Sequence, residues 1–192
     1  MTTTAFGTRL SALGGRVGTT RAIGIIGFAA ALAVASQAAI PLPGTPVPIT
    51  LQPLLVVLAG LWLGPTAAAA SMALYLAAGA AGLPVFAPVG APGVLRLLGP
   101  TGGYLIAYPF AAFAAGWLGE RATSFVARAA AAAAGILVLY VGGLAQLTLL
   151  TGSLEHAALL GVLPFAALDA VKALVAALVS PSRASRGRRG VA

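Results

Sequence analysis

Apolar residues run in long blocks along this chain, and clusters of Pro, Gly and charge separate the blocks. The first block, Ala22 to Ile40, is apolar except for Ser36 and Gln37. Its 19 residues would rise about 28 Å as a helix, enough to cross a hydrocarbon core. Pro41, Pro43, Gly44, Pro46 and Pro48 follow. Pro has no N–H and clashes with a preceding helical turn, so this stretch predicts an ordered loop over 41–50. Leu51 to Leu63 forms a second apolar segment, Gly64-Pro65 breaks it, and Thr66 to Gly82 forms a third. A second long loop, 83–102, holds Pro84, Pro88, Pro92 and Pro100. Gly103 to Leu118 is the fourth segment, and a polar link over 119–128 carries Glu120, Arg121 and Arg128. Ala129 to Leu150 is the fifth, Thr151 to His156 a short polar break, and Ala157 to Val179 the sixth, with Pro164 inside it. The pattern predicts an all-α membrane protein, a bundle of six transmembrane helices.

Composition narrows the class further. Hydrophobic types make up 60% of the 192 residues and charged types 7%, against roughly a quarter charged in an ordinary soluble domain. So few charges cannot cover a soluble globule, and so apolar a chain is not disordered. No polar stretch divides the body. The reading is a segment 1–21, one transmembrane domain over 22–180, and a basic tail over 181–192. A basic start, an apolar run and the small residues Ala33, Ala35 and Ala38 also fit a secretory signal peptide. The further apolar spans favour a first bundle helix instead.

Charge sets orientation. With an even number of spans both termini share a side. If that side is cytoplasmic, nine of the ten Arg lie inside: Arg9, Arg16, Arg21, Arg121, Arg128, Arg183, Arg186, Arg188 and Arg189. Only Arg96 falls outside, in the second loop. This is the distribution that cytoplasmic flanks show. Both Pro/Gly-rich loops then face outward, as suits a protein that captures something from outside. The net charge of +8 serves topology and contact with membrane lipid, not nucleic acid, because no basic face interleaved with aromatics exists. The chain has no cysteine and a single histidine, His156, which argues against a metal site and thiol chemistry.

Asp169 and Lys172 are the only ionisable side chains well inside an apolar span. At i and i+3 they share a helix face. Burial of either charge alone costs about 2.5–3.5 kcal/mol on insertion scales, so such residues face a cavity or each other. One reading is a neutralised pair that tolerates burial; the other, favoured, is a polar ligand site. Ionised Asp169 offers acceptors and Lys172 donors, so a matching ligand carries N–H groups and a carbonyl or carboxylate. Arg96 could clamp a carboxylate or merely meet solvent and headgroups. Phe86, Tyr104 and Tyr75 could wall a pocket or form an interfacial belt. Thr50 and Gln52 could supply polar contacts or local loop bonds. Ala31, Ala35 and Ala39 repeat at four-residue spacing, either for packing within the bundle or as a docking face for another membrane protein. Glu155 and His156 read as surface polar residues, and Glu120 pairs locally with Arg121. Gly99-Pro100-Thr101-Gly102-Gly103 lacks the spacing and Lys of a phosphate-binding loop.

Three stretches together resemble BioY, the biotin-binding S component of energy-coupling factor (ECF) transporters. They are Pro46-Val47-Pro48-Ile49-Thr50-Leu51-Gln52; Gly82-Leu83-Pro84-Val85-Phe86 followed by Gly99-Pro100-Thr101-Gly102-Gly103-Tyr104; and Leu163-Pro164-Phe165 with Asp169 and Lys172. The match runs from about residue 23 to 180. The resemblance implies the six-helix S-component fold of a multi-pass protein of the bacterial inner or plasma membrane, with the two outer loops closing over D-biotin. It implies that Asp169 and Lys172 meet the ureido ring, with Arg96 near the carboxylate. It implies that the Ala31–Ala35–Ala39 face meets a transmembrane coupling subunit. Two cytoplasmic ATPase subunits would use the ATP, and the chain itself would hold no cofactor and catalyse nothing. The rival readings are an S component for another vitamin and a self-sufficient ion-coupled transporter with Asp169 as proton carrier. An intramembrane enzyme lacks a catalytic set, and a pure anchor leaves the buried pair unexplained.

Overall fold

The computed structural model describes residues 3–181, and side chains from Gly18 onward. Arg183, Arg186, Arg188 and Arg189, and the side chains of Arg9 and Arg16, lie outside the described residues. The chain is all-helical there, apart from one antiparallel bridge between Ile40 and Ile49. Seven α-helices follow in order: α1 Thr3–Gln37, α2 Gln52–Leu63, α3 Pro65–Ala80, α4 Gly102–Gly119, α5 Phe125–Thr151, α6 Leu154–Gly161 and α7 Ala166–Val179. A 3-10 helix, Gly93–Leu98, lies within the second loop.

The Pro/Gly clusters delimit these elements as their chemistry requires. α2 and α3 each carry a proline in the first two positions, Pro53 and Pro65, where the missing N–H is no loss. Gly64 joins them at φ 77°, a left-handed conformation that L side chains resist. α5 starts on the Ser124 hydroxyl, which accepts from the Ala127 N–H at 3.1 Å, and stops at left-handed Gly152.

Several expectations shift. α1 begins at Thr3 rather than at residue 22, and its apolar part is Gly18–Gln37. It ends at Gln37, because Pro41 disfavours helical geometry just before it, so Ala39 stands past the last turn. The link after α4 is shorter, since α5 begins at Phe125. Glu155 and His156 sit in the first turn of α6 rather than in a polar break. The sixth segment is two helices, bent by 56° at Val162–Phe165. By length and composition α5 and the Gly18–Gln37 part of α1 can each cross a membrane, and α6 with α7 adds a third if the bent pair is one span.

α4 is the central element and packs on α2, α3 and α5. Small residues permit this. A Cβ on Gly60 of α2 would stand 2.8 Å from the Gly116 nitrogen, and one on Gly142 of α5 2.5 Å from the Gly103 carbonyl oxygen. Close backbone approach between small residues is how helices associate where lipid removes the hydrophobic drive. Tyr75 and Phe86 fill the core against Tyr108 of α4, with Tyr75 edge-on to Phe86 at 5.4 Å between ring centroids.

Candidate ligand site

A cavity of about 70 Å³ opens where α2, α4, α5 and α7 meet the two long loops. One water centre needs roughly 10–15 Å³ on this measure, so the space is made for more than a trapped water. Val47, Pro48, Phe86, Leu105, Leu139 and Phe165 give it apolar walls. Thr50, Gln52, Arg96, Thr101, Tyr104, Tyr140, Asp169 and Lys172 add polar groups. Predominantly apolar walls with a few converging polar side chains are the ordinary make-up of a small-molecule site.

The polar centre is Asp169, in the first turn of α7 and only 4% exposed. Lys172 Nζ donates to its Oδ1 at 2.7 Å and the Tyr140 hydroxyl donates to its Oδ2 at 2.7 Å. The start of α7 adds the favourable end of a helix dipole. Both oxygens are therefore compensated, as a carboxylate removed from water requires.

The break before α7 does more than start a helix. In an unbroken helix the Leu160 carbonyl would accept from residue 164, but Pro164 has no N–H. That carbonyl accepts instead from the Thr45 hydroxyl of the first loop at 2.6 Å. The Phe165 N–H turns to Val162, which frees the Gly161 carbonyl to accept from the Tyr104 hydroxyl at 2.6 Å. One wall of the cavity and one covering loop are thus held by carbonyls that the break releases.

The second loop is held at three places. The Ser36 hydroxyl at the end of α1 donates to the Val85 carbonyl at 2.6 Å, and Gln37 Nε2 to those of Pro84 and Phe86 at 3.3 and 3.2 Å. Gln146 of α5 donates to the Leu98 carbonyl at 3.1 Å. Arg96 donates from its two terminal nitrogens to the Ala87 and Val89 carbonyls. It is 6% exposed, and its Nε is buried without a partner. Burial holds its pKa below the ordinary arginine value, opposed by the nearby Tyr75.

Of the residues singled out in the sequence, Asp169, Lys172, Arg96, Tyr104, Phe86, Thr50 and Gln52 line one cavity. Tyr75 does not. It stands behind the wall, buried, with its hydroxyl accepting from Gln52 Nε2 at 2.8 Å. Thr50 also has a local role, its hydroxyl accepting from the Gln52 N–H at 3.3 Å. The Arg96 terminal nitrogens already serve loop carbonyls, so the open two-pronged clamp expected from its charge is not the arrangement found. Ala31 is exposed and Ala35 half-buried on α1. Among the residues the sequence reading missed, Tyr140, Tyr108 and Thr101 line the cavity. No group of three or more His, Cys, Asp or Glu among the described residues could hold a metal ion.

The remaining described arginines gather at the opposite end. Arg21 donates to Thr66 at the start of α3. Arg121 lies 4.1 Å over the Trp117 ring at the end of α4. Arg128 donates to the Ala177 carbonyl near the end of α7 at 3.1 Å.

An apolar helical body, a cationic end and a partly open cavity under pinned loops define an all-α membrane protein with a site shaped for a small molecule. The BioY family profile matches residues 6–189, and the chain belongs to the BioY family. It is 44% identical over 135 residues to the "Probable biotin transporter BioY" of Pyrococcus horikoshii, covering 70% of this chain and 79% of that one. It is 38% identical over 153 residues to the "Biotin transporter BioY" of Thermotoga maritima, covering 80% and 89%. The fold is that of the crystal structure of "the S-component for biotin from an ECF-type ABC transporter", with a TM-score of 0.80 over 90% of this chain and 93% of that one, at 24% identity.

Proposed function

We propose that this chain captures biotin outside the cell and passes it inward as the membrane-embedded S component of an ECF-type transporter. It is a binding subunit, not an enzyme. The observation that carries the reading is the largely buried Asp169–Lys172 pair, 2.7 Å apart in a cavity with mainly apolar walls. A cyclic urea has N–H groups for the carboxylate and a carbonyl for the ammonium, and the apolar walls suit a thioether ring and an alkyl chain. Phe86, Tyr104, Thr50 and Gln52 complete the lining, Tyr75 supports it from behind, and Arg96 lies near the ligand's carboxylate. The names of the similar proteins support biotin over another vitamin.

The finer picture follows from charge. With α2 and α3 as a short-helix pair and α6–α7 as one bent span, six passes place Arg21, Arg121 and Arg128 inside together with the basic tail, and the cavity outside. The Ala31–Ala35 stretch of α1 is the surface for a transmembrane coupling subunit, and two cytoplasmic ATPases would supply the energy.

Equilibrium binding to the purified, detergent-solubilised chain tests the reading, with thiamine and riboflavin as controls. Saturable binding of biotin alone is expected; a folded, monodisperse sample that binds none of it overturns the assignment. A second outcome concerns the loop. Replacing Ser36 and Gln37 together by Ala removes the α1 hold on Val85, Pro84 and Phe86. The three lost bonds are worth about 1 kcal/mol each, so bound biotin should dissociate up to roughly a hundredfold faster in stopped-flow chase experiments, with a melting temperature lower by several degrees.

A further inference from the structure

We infer that Gly79, a residue outside the cavity, fixes the cavity's width and with it the preference for a broad ring system over a slim one; the inference rests on the biotin reading above. Gly79 stands among alanines in α3, where Ala would suit the helix better than Gly. Packing accounts for its presence. Gly79 is buried, and a Cβ there would overlap three carbons of the Phe86 ring. The ring therefore lies directly on the α3 backbone. Phe86 is itself buried and lines the cavity, whereas no α3 residue does. The ring is the partition between α3 and the ligand space.

Its neighbours leave that ring one direction to yield. The backbone is held, since Gln37 Nε2 donates to the Phe86 carbonyl and the Ser36 hydroxyl to that of Val85. Tyr75 stands edge-on to the ring from α3. Elsewhere the interior is packed, and the cavity is the empty space beside it. Carbon atoms in contact need about 3.5–4.0 Å, so a methyl group at 79 would drive the ring roughly 1 Å or more toward the ligand. An empty cavity can take the ring, but ring and ligand cannot share the space. Tyr104 repeats the arrangement, because a Cβ on Gly143 of α5 would overlap its ring. That ring is also tied by its hydroxyl to the Gly161 carbonyl, so a change at 143 would cost a hydrogen bond as well. Gly79 is the position that alters width alone.

The experiment measures equilibrium binding in detergent of biotin and of desthiobiotin, which keeps the cyclic urea and the carboxylate chain but lacks the thioether ring. Both ligands carry the same polar groups, so the ratio of their affinities reports width. Gly79→Ala should bind biotin about tenfold more weakly, the scale of an overpacked site. Desthiobiotin should lose less, so the preference for biotin shrinks. Without ligand the variant should melt close to wild type, because the ring has empty space to enter. Adding Phe86→Leu to Gly79→Ala removes the overlapping ring and should restore most of the biotin affinity, although Phe86→Leu alone should weaken it. A glycine with a merely structural role would lower melting without ligand and leave the preference ratio where it was. Unchanged biotin affinity in Gly79→Ala, an unmoved ratio, or no rescue by Phe86→Leu overturns the inference. If Gly79→Ala is not monodisperse, the double variant decides: it should fold and bind biotin, and a double variant no better behaved overturns the inference. Failure of wild type to bind biotin at all would instead strike the reading beneath it.

Discussion

Lys172→Ala should lower biotin affinity by about thirtyfold or more while the chain still inserts and purifies as one species. Lys172 is the donor that compensates Asp169 Oδ1 at 2.7 Å, and Asp169 is 4% exposed. Without it the carboxylate keeps only the Tyr140 hydroxyl among its side-chain partners, and the ligand carbonyl loses its cation. Removing one partner of a buried charge pair costs about 2–5 kcal/mol, and each 1.4 kcal/mol is tenfold. Asp169→Asn should be of the same size for the mirror reason, since an ammonium is left where an amide replaces its carboxylate. The two losses should not add. The double variant should bind little worse than the poorer single one, because each single change already dismantles the pair. Titration calorimetry on the three variants decides this. Unchanged affinity in both single variants would remove the pair from the account of binding.

Gly103→Leu should disrupt the fold strongly. At Gly103 the α4 backbone meets α5 so closely that any Cβ would overlap the Gly142 carbonyl and Gln146 Cβ. Backbone cannot turn aside as a flexible side chain can, so the helices must part. Overpacking costs typically 1–3 kcal/mol and more where nothing yields. For a chain of this length the loss corresponds to a melting temperature lower by about 10 °C. The effect should reach the cavity. Tyr104 follows Gly103 directly, packs its ring against Gly143 and donates to the Gly161 carbonyl, so separated helices carry it off both contacts. Melting in detergent with and without biotin checks both parts. A variant that melts and binds as wild type would show that the α4–α5 approach is not what positions Tyr104.

The sequence carried the punctuation of this fold well and its interior poorly. Proline and glycine act locally, so the breaks at Gly64-Pro65, 41–50 and 83–102 could be read directly. Asp169 and Lys172 were legible because charge in an apolar run stands out and because i and i+3 are neighbours on any helix. Tyr140 was not, since α5 is apolar on all sides and polarity marks no inner face. Tyr75 and Tyr104 looked alike in the sequence; only packing separates the residue behind the wall from the one in it. Pro164 was visible, but the bend is defined by which distant groups take up the carbonyls it releases. Arg96 read as a free cation, and its two loop carbonyls depend on a loop course that composition does not encode.

Those released carbonyls tie the history of three distant positions together. Thr45 needs the Leu160 carbonyl, free because residue 164 cannot donate, and Tyr104 needs that of Gly161, free because the Phe165 N–H turns to Val162 at the same break. A lineage that replaced Pro164 with a residue able to complete the helix would strand two hydroxyls at once. A lineage that lost Thr45 or Tyr104 would remove one reason to keep the proline. Drift at 45, 104 and 164 should therefore be correlated, and an ancestor with a straight sixth span would have covered its cavity by some other means.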